Sequence, residues 1–98
     1  MREAQYQAKL IREIRRRFPD CVILKNDSSY LQGVPDLIIL NGDRWAMLEV
    51  KLSSRSGEQP NQKYYISVLN SMSYAAFIYP EIEEEVLDEL QFALSNRR

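Results

Sequence analysis

The chain has 98 residues, of which 45% are hydrophobic and 10% aromatic, which is enough for one domain around a single core. Lysine and arginine total 13 against 14 aspartate and glutamate, so the net charge of -1 excludes a disordered polyelectrolyte and a uniformly cationic nucleic-acid coat. Histidine is absent and Cys21 is the only cysteine, which excludes disulfide frameworks, Cys/His zinc sites and histidine-dependent triads or dyads. No apolar run reaches the roughly 20 residues of a membrane span, and the first residues lack the apolar segment of an export signal. We therefore expect a cytoplasmic protein with no membrane partner.

The first half of the chain predicts a helix followed by three strands. Apolar residues recur at helical spacing from Glu3 to Phe18, and Pro19 ends the pattern. Short apolar runs predict strands at residues 21–25, 34–40 and 45–52. A polar loop occupies 26–33, and Asn-Gly-Asp at 41–43 predicts a hairpin turn between the second and third strands. Because the run at 34–40 is apolar on both faces, we expect a central strand that is covered on both sides.

The second half of the chain predicts a helix, a strand and a final helix. The second helix is entered at Pro60, a favoured first-turn position. Its apolar stripe comprises Tyr65, Ile66, Leu69 and Met72. Residues 75–79 predict a fourth short strand. The first turns of the final helix are rich in glutamate, which is favourable near the positive end of the helix dipole. The apolar stripe of this helix comprises Ile82, Val86, Leu90 and Ala93. This order predicts an α/β fold with a small mixed sheet flanked by helices.

The predicted hairpin places three charged residues on one face of the sheet. If the turn consists of residues 42–43, Asp36 lies directly opposite Glu49. If the turn consists of residues 41–42, the two carboxylates are diagonal neighbours on the same face. Lys51 projects from that face in either register because strand side chains alternate. The sequence thus predicts two carboxylates and an ammonium within about 5–8 Å of each other.

Two adjacent carboxylates in an apolar setting are costly unless something compensates their charge. A divalent cation is the natural compensation, and oxygen ligands without histidine or cysteine indicate Mg²⁺ or Mn²⁺. The carbonyl of Val50 is a candidate third ligand, and Lys51 would lie beside the water that the cation binds. The alternative is an ordinary cross-strand surface pair, which the apolar runs at 37–40 and 47–48 disfavour.

Two polar residues of the helices are predicted to face this cluster. Glu3 shares the helical stripe of Leu10 and Ile14, which makes it a candidate third carboxylate; the alternative is a glutamate that only stabilises the helix dipole. Gln62 shares a face with Tyr65 at the start of the second helix, so its amide is aimed inwards and needs a partner. Water on a metal or a phosphate is one candidate partner, and a simple cap interaction is the alternative.

The residues of this cluster carry a family resemblance. Val34-Pro35-Asp36 followed by Leu48-Glu49-Val50-Lys51 resembles the PD-(D/E)XK nuclease superfamily, whose signature is Pro-Asp on one strand and Asp/Glu-x-Lys on the next. A longer ordered set is more specific and resembles the virus-type replication-repair nuclease branch, VRR-NUC, in its stand-alone form. That set spans residues 3 to 79 and comprises Glu3, Gly33 to Ile38, Leu48 to Lys51, Ser56-Gly57 and Gln62.

The resemblance implies a restriction-endonuclease-like αβββαβ core with an extra C-terminal helix, so that residues 1–98 form one VRR-NUC-like domain. It implies Mg²⁺- or Mn²⁺-dependent hydrolysis of DNA phosphodiester bonds, with Glu3, Asp36 and Glu49 related to the metal. Lys51 matches the catalytic lysine, and Gln62 matches the glutamine of the following helix. Stand-alone members resemble Holliday-junction resolvases that act as homodimers on branched DNA, and a viral or bacterial origin is compatible with this likeness. The chain carries little beyond the core, which leaves substrate preference open.

The expected DNA contacts are basic and polar residues of the first helix and of the loops. They are Arg12, Arg16, Lys25, Asn26, Ser28, Arg55 and Lys63. For the helical residues the alternative is a solvated exterior. The apolar residues available for a dimer contact, unless the core takes them, are Tyr64, Tyr74, Phe77, Tyr79, Leu87, Phe92 and Leu94. Two other functions stay open: a non-catalytic nucleic-acid-binding module, and a toxin-antitoxin or structural interaction protein that uses the tyrosine-rich helix.

Overall fold

A computed structural model describes residues 1–95 of the chain. The helices are α1 (Glu3–Arg17), α2 (Pro60–Met72) and α3 (Glu83–Ser95), and a 3₁₀ turn at Pro80–Ile82 precedes α3. The strands are β1 (Val22–Lys25), β2 (Leu37–Asn41), β3 (Arg44–Val50) and β4 (Tyr74–Ile78). This order confirms the predicted αβββαβ core with an extra C-terminal helix. The predicted domain runs to residue 98, and residues 96–98 lie outside the described part.

The four strands form one mixed sheet in the order β1-β2-β3-β4. The pairs β1–β2 and β2–β3 are antiparallel, whereas β4 lies parallel to β3. A parallel pair needs a crossover connection, and α2 supplies it. Within residues 1–95, no helix is both long and apolar enough to cross a membrane.

The β2–β3 hairpin forms the first of the two predicted registers. Its turn consists of residues 42–43, and Gly42 has a φ of +66°, which glycine adopts at little cost. Leu37 pairs with Leu48. Because the same register continues one residue outward, Asp36 lies opposite Glu49.

The two faces of β3 have different neighbours. Its alternate residues 46, 48 and 50 are fully buried in a core shared with α1 and α3. That core comprises Tyr6, Leu10, Ile14, Phe18, Leu37, Ile39, Ala46, Leu48, Val50, Ile78, Val86, Leu87, Leu90 and Leu94. Trp45, Met47 and Glu49 project from the opposite face, on the side of α2. Most of the hydrophobic stabilisation therefore comes from one face of the sheet.

The prediction that the second strand is covered on both faces is wrong. Leu37 and Ile39 are fully buried, but Leu40 on the other face is 37% exposed. Val22 and Leu24 of β1 share that face and are 51% and 46% exposed. The chain connection explains this exposure. Because α2 joins β3 to its parallel neighbour β4, the helix packs over those two strands and leaves this face of β1 and β2 uncovered.

Several element boundaries differ from the prediction. β2 begins at Leu37 rather than at residue 34, since Pro35 has no backbone N–H for a strand ladder, and β3 ends at Val50 rather than at residue 52. β4 spans 74–78 instead of 75–79. Met72 is 66% exposed, and the other residues of the predicted stripe of α2 are only partly buried. The buried residues of α3 are Val86, Leu87, Leu90 and Leu94, whereas Ile82 lies in the preceding turn and Ala93 is only partly buried.

One arginine at the end of α1 connects this helix to α3. The Arg17 side chain is 12% exposed and lies within 3.3 Å of carboxylate oxygens of Glu13, Glu84 and Asp88. Its guanidinium also donates a hydrogen bond to Gln91 at 3.0 Å. The planar guanidinium can serve several acceptors at once, so this residue holds two helices together and is not part of an exposed basic surface.

Candidate active site

Two carboxylates meet where β2 begins and β3 ends. Asp36 Oδ2 accepts a hydrogen bond from the backbone N–H of Val50 at 2.8 Å, which ties this carboxylate to the neighbouring strand. Glu49 is 5% exposed, and its Oε1 is buried with no hydrogen-bond partner among residues 1–95. An unpaired buried acceptor typically costs about 1–3 kcal/mol, and more when it is charged. The structure thus places a carboxylate oxygen where a cationic ligand would be favourable.

Gln62 links the buried glutamate to the lysine. Gln62 Nε2 donates to Glu49 Oε2 at 3.0 Å, while Gln62 Oε1 accepts a hydrogen bond from Lys51 Nζ at 2.9 Å. Lys51 Nζ also donates to the carbonyl of Gly57 at 2.9 Å and lies 3.8 Å from Glu49 Oε2. The backbone N–H of Gln59 donates to Gln62 Oε1 at 3.0 Å. The cap interaction, one of the two alternatives, is therefore present, and the same amide also contacts Glu49 and Lys51. The other alternative, water on a metal or a phosphate, stays a prediction.

The electrostatics of Glu49 reflect this setting. Burial raises the pKa of Glu49 to about 8, and the negative charges of Asp36 and, more weakly, Glu3 act in the same direction. The ammonium of Lys51 opposes them. The protonated form of this carboxyl group is therefore favoured more than in an exposed glutamate, and a cation that binds the group would displace a bound proton.

The segment before β2 is held by Asn26, the residue that follows β1. The backbone N–H of Asn26 donates to the Asp36 carbonyl at 2.9 Å, and its side-chain Nδ2 donates to the Pro35 carbonyl at 2.7 Å. Pro35 is itself fully buried. The side-chain nitrogen of Asn26, a predicted DNA contact, is thus engaged within the protein and positions the turn that carries Asp36.

Glu3 is exposed at the first residue of α1 rather than buried against the sheet. In the described part of the chain, no three metal-binding side chains come close enough to hold an ion. The expected third carboxylate is therefore not preformed, although its charge reaches Glu49. Helical spacing correctly gives the face of α1 that is buried, through Leu10 and Ile14. It does not specify how far the buried face extends towards the start of the helix.

The predicted DNA contacts lie on two sides of the sheet. Arg12 and Arg16 are exposed on α1, opposite the face that carries Glu49, and the Arg16 guanidinium pairs with Glu13 at 2.5 Å. Lys63 on α2 is 67% exposed, with its Nζ 3.7 Å from Glu58 Oε1. The remaining basic candidates, Lys25 and Arg55, are exposed. No single basic surface in the described residues gathers the whole predicted set around the carboxylates.

The chain also contains a cavity that sequence reasoning missed. It has a volume of about 570 Å³ and lies between the loop after β1 and the first turn of α2. Ser28, a predicted DNA contact, lines it together with Gln32, Asn61 and Gln62. Loop residues carry no periodic signal, and the sequence offered only a polar, turn-forming composition at 26–33.

Comparison with solved structures finds a neighbour named "VRR_NUC domain protein", with a TM-score of 0.72 and 20% sequence identity. The match covers 97% of this chain and 89% of that chain. The chain has the fold of a VRR_NUC domain protein. No family model matches the sequence, and no curated protein matches it. The structural likeness confirms the expected VRR_NUC-like fold class, including the helices that flank the four-stranded sheet.

Proposed function

We propose that the protein is a metal-dependent, structure-selective DNA endonuclease that hydrolyses phosphodiester bonds. The observation that carries this proposal is the buried Glu49, whose Oε1 lacks a partner among residues 1–95, next to Asp36 and Lys51. The VRR_NUC name of the structural neighbour supports it. The proposed catalytic residues are Glu3, Asp36, Glu49, Lys51 and Gln62.

The oxygen donors of the site fit a divalent cation of the Mg²⁺ or Mn²⁺ type. Asp36 and Glu49 would hold it, and the Val50 carbonyl and Glu3 are the further proposed ligands. Mg²⁺ is commonly held by one or two carboxylates, with water and substrate phosphate as its other ligands, so the site does not need three preformed carboxylates. When bound, such a cation lowers the pKa of water and stabilises charge on the phosphate.

The side chains around the carboxylates have separate tasks in this proposal. The Val50 N–H fixes one oxygen of Asp36 and leaves the other for a ligand. Lys51 stabilises negative charge that develops on the phosphate or orients the attacking water. Gln62 keeps the glutamate and the lysine in place through the two ends of its amide. Hydrolysis by activated water requires no covalent enzyme intermediate.

Cleavage of a small DNA panel tests this function. The panel contains a four-way junction, a flap, a nicked duplex and a linear duplex, each with Mg²⁺ or Mn²⁺. We expect the wild-type chain to cut branched DNA in preference to the linear duplex, and Asp36→Ala to cut none of the four. Failure of the wild type to cut any of them with either metal would contradict the proposal.

A non-catalytic nucleic-acid-binding module on the same fold is the second candidate. The observation that favours it is the lack, among residues 1–95, of three clustered metal-binding side chains. Calorimetric titration with Mn²⁺ separates the two: binding that Asp36→Ala abolishes supports the nuclease, whereas DNA binding without any metal binding supports the module. The interaction-protein alternative is less favoured, because Tyr65 and Tyr74 are partly buried and only Tyr64 of the three tyrosines is exposed. The Tyr74 hydroxyl also donates to Glu89 at 2.8 Å.

We also propose branched DNA as the substrate class and a homodimer as the active form. One small domain offers little surface to orient a branched substrate, whereas a two-fold dimer presents two sites with the approximate symmetry of a four-way junction. Of the seven residues predicted for the contact, Leu87 and Leu94 belong to the core, which corrects that part of the prediction. Tyr64 and Phe92 are 61% and 71% exposed and stay available.

A further inference from the structure

The cavity beside the candidate active site has two walls from different parts of the chain. One wall is the loop after β1, with Ser28, Ser29 and Gln32; the other is the start of α2, with Gln59, Asn61 and Gln62. Its volume of about 570 Å³ falls within the range of small-ligand sites, about 300–1,000 Å³.

The lining of this cavity is polar but carries no charge. The eight residues that line it, all in the described chain, include no charged side chain, and six of them carry an amide or a hydroxyl group. A phosphate would find no cation among the lining side chains, and an apolar ligand would leave these polar groups unpaired. Amides and hydroxyls both donate and accept hydrogen bonds, which matches the mixed donor and acceptor edge of a nucleobase.

The position of the cavity relates it to the proposed reaction. Gln62 belongs to the cavity wall, and its Nε2 donates to Glu49 Oε2 at 3.0 Å. A group in the cavity and a phosphate at the carboxylates would therefore be neighbouring parts of one DNA strand. A base that is paired and stacked in a duplex cannot enter such a pocket, whereas an unpaired base can.

The two walls are held in place before any ligand binds. Gly33 lies so close to α2 that a Cβ at this position would be 2.4 Å from the Cβ of Asn61. In the loop, Asp27 Oδ1 accepts hydrogen bonds from the backbone N–H and the hydroxyl of Ser29 at 2.9 and 2.6 Å. Walls that are already ordered reduce the entropy cost of binding.

We propose that this cavity binds one unpaired nucleobase next to the phosphodiester that is cut, and that this pocket selects DNA with unpaired bases at a branch point. The inference rests on the proposed nuclease function, since it names the part of the substrate that the same site recognises.

The first test is a walk with abasic sites along a flap or junction substrate. Each substrate has a single tetrahydrofuran residue, which keeps the phosphate and removes the base, at one position near the cut. We expect one unpaired position adjacent to the cut to slow wild-type cleavage at least tenfold, while the other positions change it little. Equal rates at all positions, with cleavage otherwise intact, would overturn the pocket and leave the nuclease standing.

Variants of the cavity wall sharpen this test. Gln32→Ala combined with Asn61→Ala removes two amides from opposite walls without touching the carboxylates. We expect this double variant to cut the intact substrate and the critical abasic substrate at the same reduced rate, because the base no longer contributes. Ser67→Ala, an exposed residue of α2 outside the cavity, is the matched control and should retain the wild-type difference. A double variant that still discriminates between the two substrates would also overturn the proposal.

A second readout does not depend on cleavage. The base analogue 2-aminopurine brightens when it leaves a stack, so we place it at the unpaired position next to the junction. Binding of the Asp36→Asn variant to this DNA should raise the fluorescence. A variant that also carries Gln32→Ala and Asn61→Ala should bind without this rise. If the wild type cuts no DNA, the proposed function fails, and this measurement alone decides whether the cavity binds a base. Unchanged fluorescence with bound Asp36→Asn protein would overturn base binding.

Discussion

Glu49 shows how one residue can be unfavourable for the metal-free fold and still suit a function. Its carboxyl group is 5% exposed and has one oxygen without a partner in the described chain. Folding places this group next to Asp36, so ionisation must overcome both burial and a like charge. Such a cost persists in a folded protein when a ligand offsets it, and a cation is the ligand that we propose.

The stability of the metal-free protein should therefore depend on pH through Glu49. Its pKa is about 8 in the folded chain against an ordinary value of 4.5, so between these pH values the folded state binds more protons than the unfolded state. Stability should fall as pH rises through this window and level off above it. Glu49→Gln, which cannot ionise, should remove the decline. Thermal unfolding in a chelator at several pH values checks this, and parallel curves for the two proteins would contradict it.

Substitutions should distinguish the roles of the three residues of the proposed centre. Asp36→Ala, Glu49→Ala and Lys51→Ala should each abolish cleavage and leave the fold largely intact, since none belongs to the apolar core. Calorimetry with Mn²⁺ should show weaker binding for both carboxylate variants. Lys51→Ala should retain or gain affinity, because a nearby positive charge is removed. Full cleavage activity in any one of the three would contradict its assignment.

Glu3 requires a separate test because it is exposed. If this carboxylate contributes to the metal site when DNA is bound, Glu3→Gln should lower turnover at least tenfold, which corresponds to about 1.4 kcal/mol. Unchanged turnover with a slightly less stable helix would assign Glu3 to the helix dipole alone. Single-turnover rates together with the unfolding midpoint distinguish the two outcomes.

At the level of elements, the loop between β1 and β2 depends on one glycine. Gly33 has a φ of +94°, and a side chain there would meet Asn61 of α2. Gly33→Ala should destabilise the protein by about 1–3 kcal/mol, because both the backbone angle and the contact are unfavourable for alanine.

A matched glycine provides the control for this prediction. A Cβ added at Gly57 would have no atom within 4 Å of it, so Gly57→Ala should leave stability unchanged or slightly raised. Urea unfolding of both variants measures the difference. Equal midpoints for the two would mean that the loop adapts at no cost.

The sequence predicted the features that depend on residues close to one another in the chain. Strand alternation and a two-residue turn were enough to place Asp36 and Glu49 on one face, but the choice between an opposite and a diagonal pair needed the observed register. Helical phase gave the inward amide of Gln62. The open face of β1 and β2 could not be read from β2 alone, because it depends on which strands α2 crosses. The cavity and the role of Arg17 both require contacts between distant segments, for which the sequence has no local signal.

At the level of the whole molecule, the main prediction is that the protein forms a homodimer. Light scattering should give about twice 11.5 kDa, since a single domain of this size offers little surface for branched DNA. Paired cuts in the two opposing strands of a four-way junction are the functional counterpart. A monomer that nicks one strand of a flap would contradict the dimer and leave the nuclease chemistry standing.

The alternation along β3 has a consequence for how this protein tolerates change. In a library that replaces each residue of the strand in turn, losses at 46, 48 and 50 should appear as lower abundance of folded protein, because these side chains fill the core. Losses at Glu49, and at Lys51 just beyond the strand, should appear as normal abundance without activity. A selection for folding and a selection for cleavage should therefore be sensitive to alternating positions of the same short segment. Substitutions can then accumulate on the face that carries the candidate active site while the opposite face keeps the domain folded.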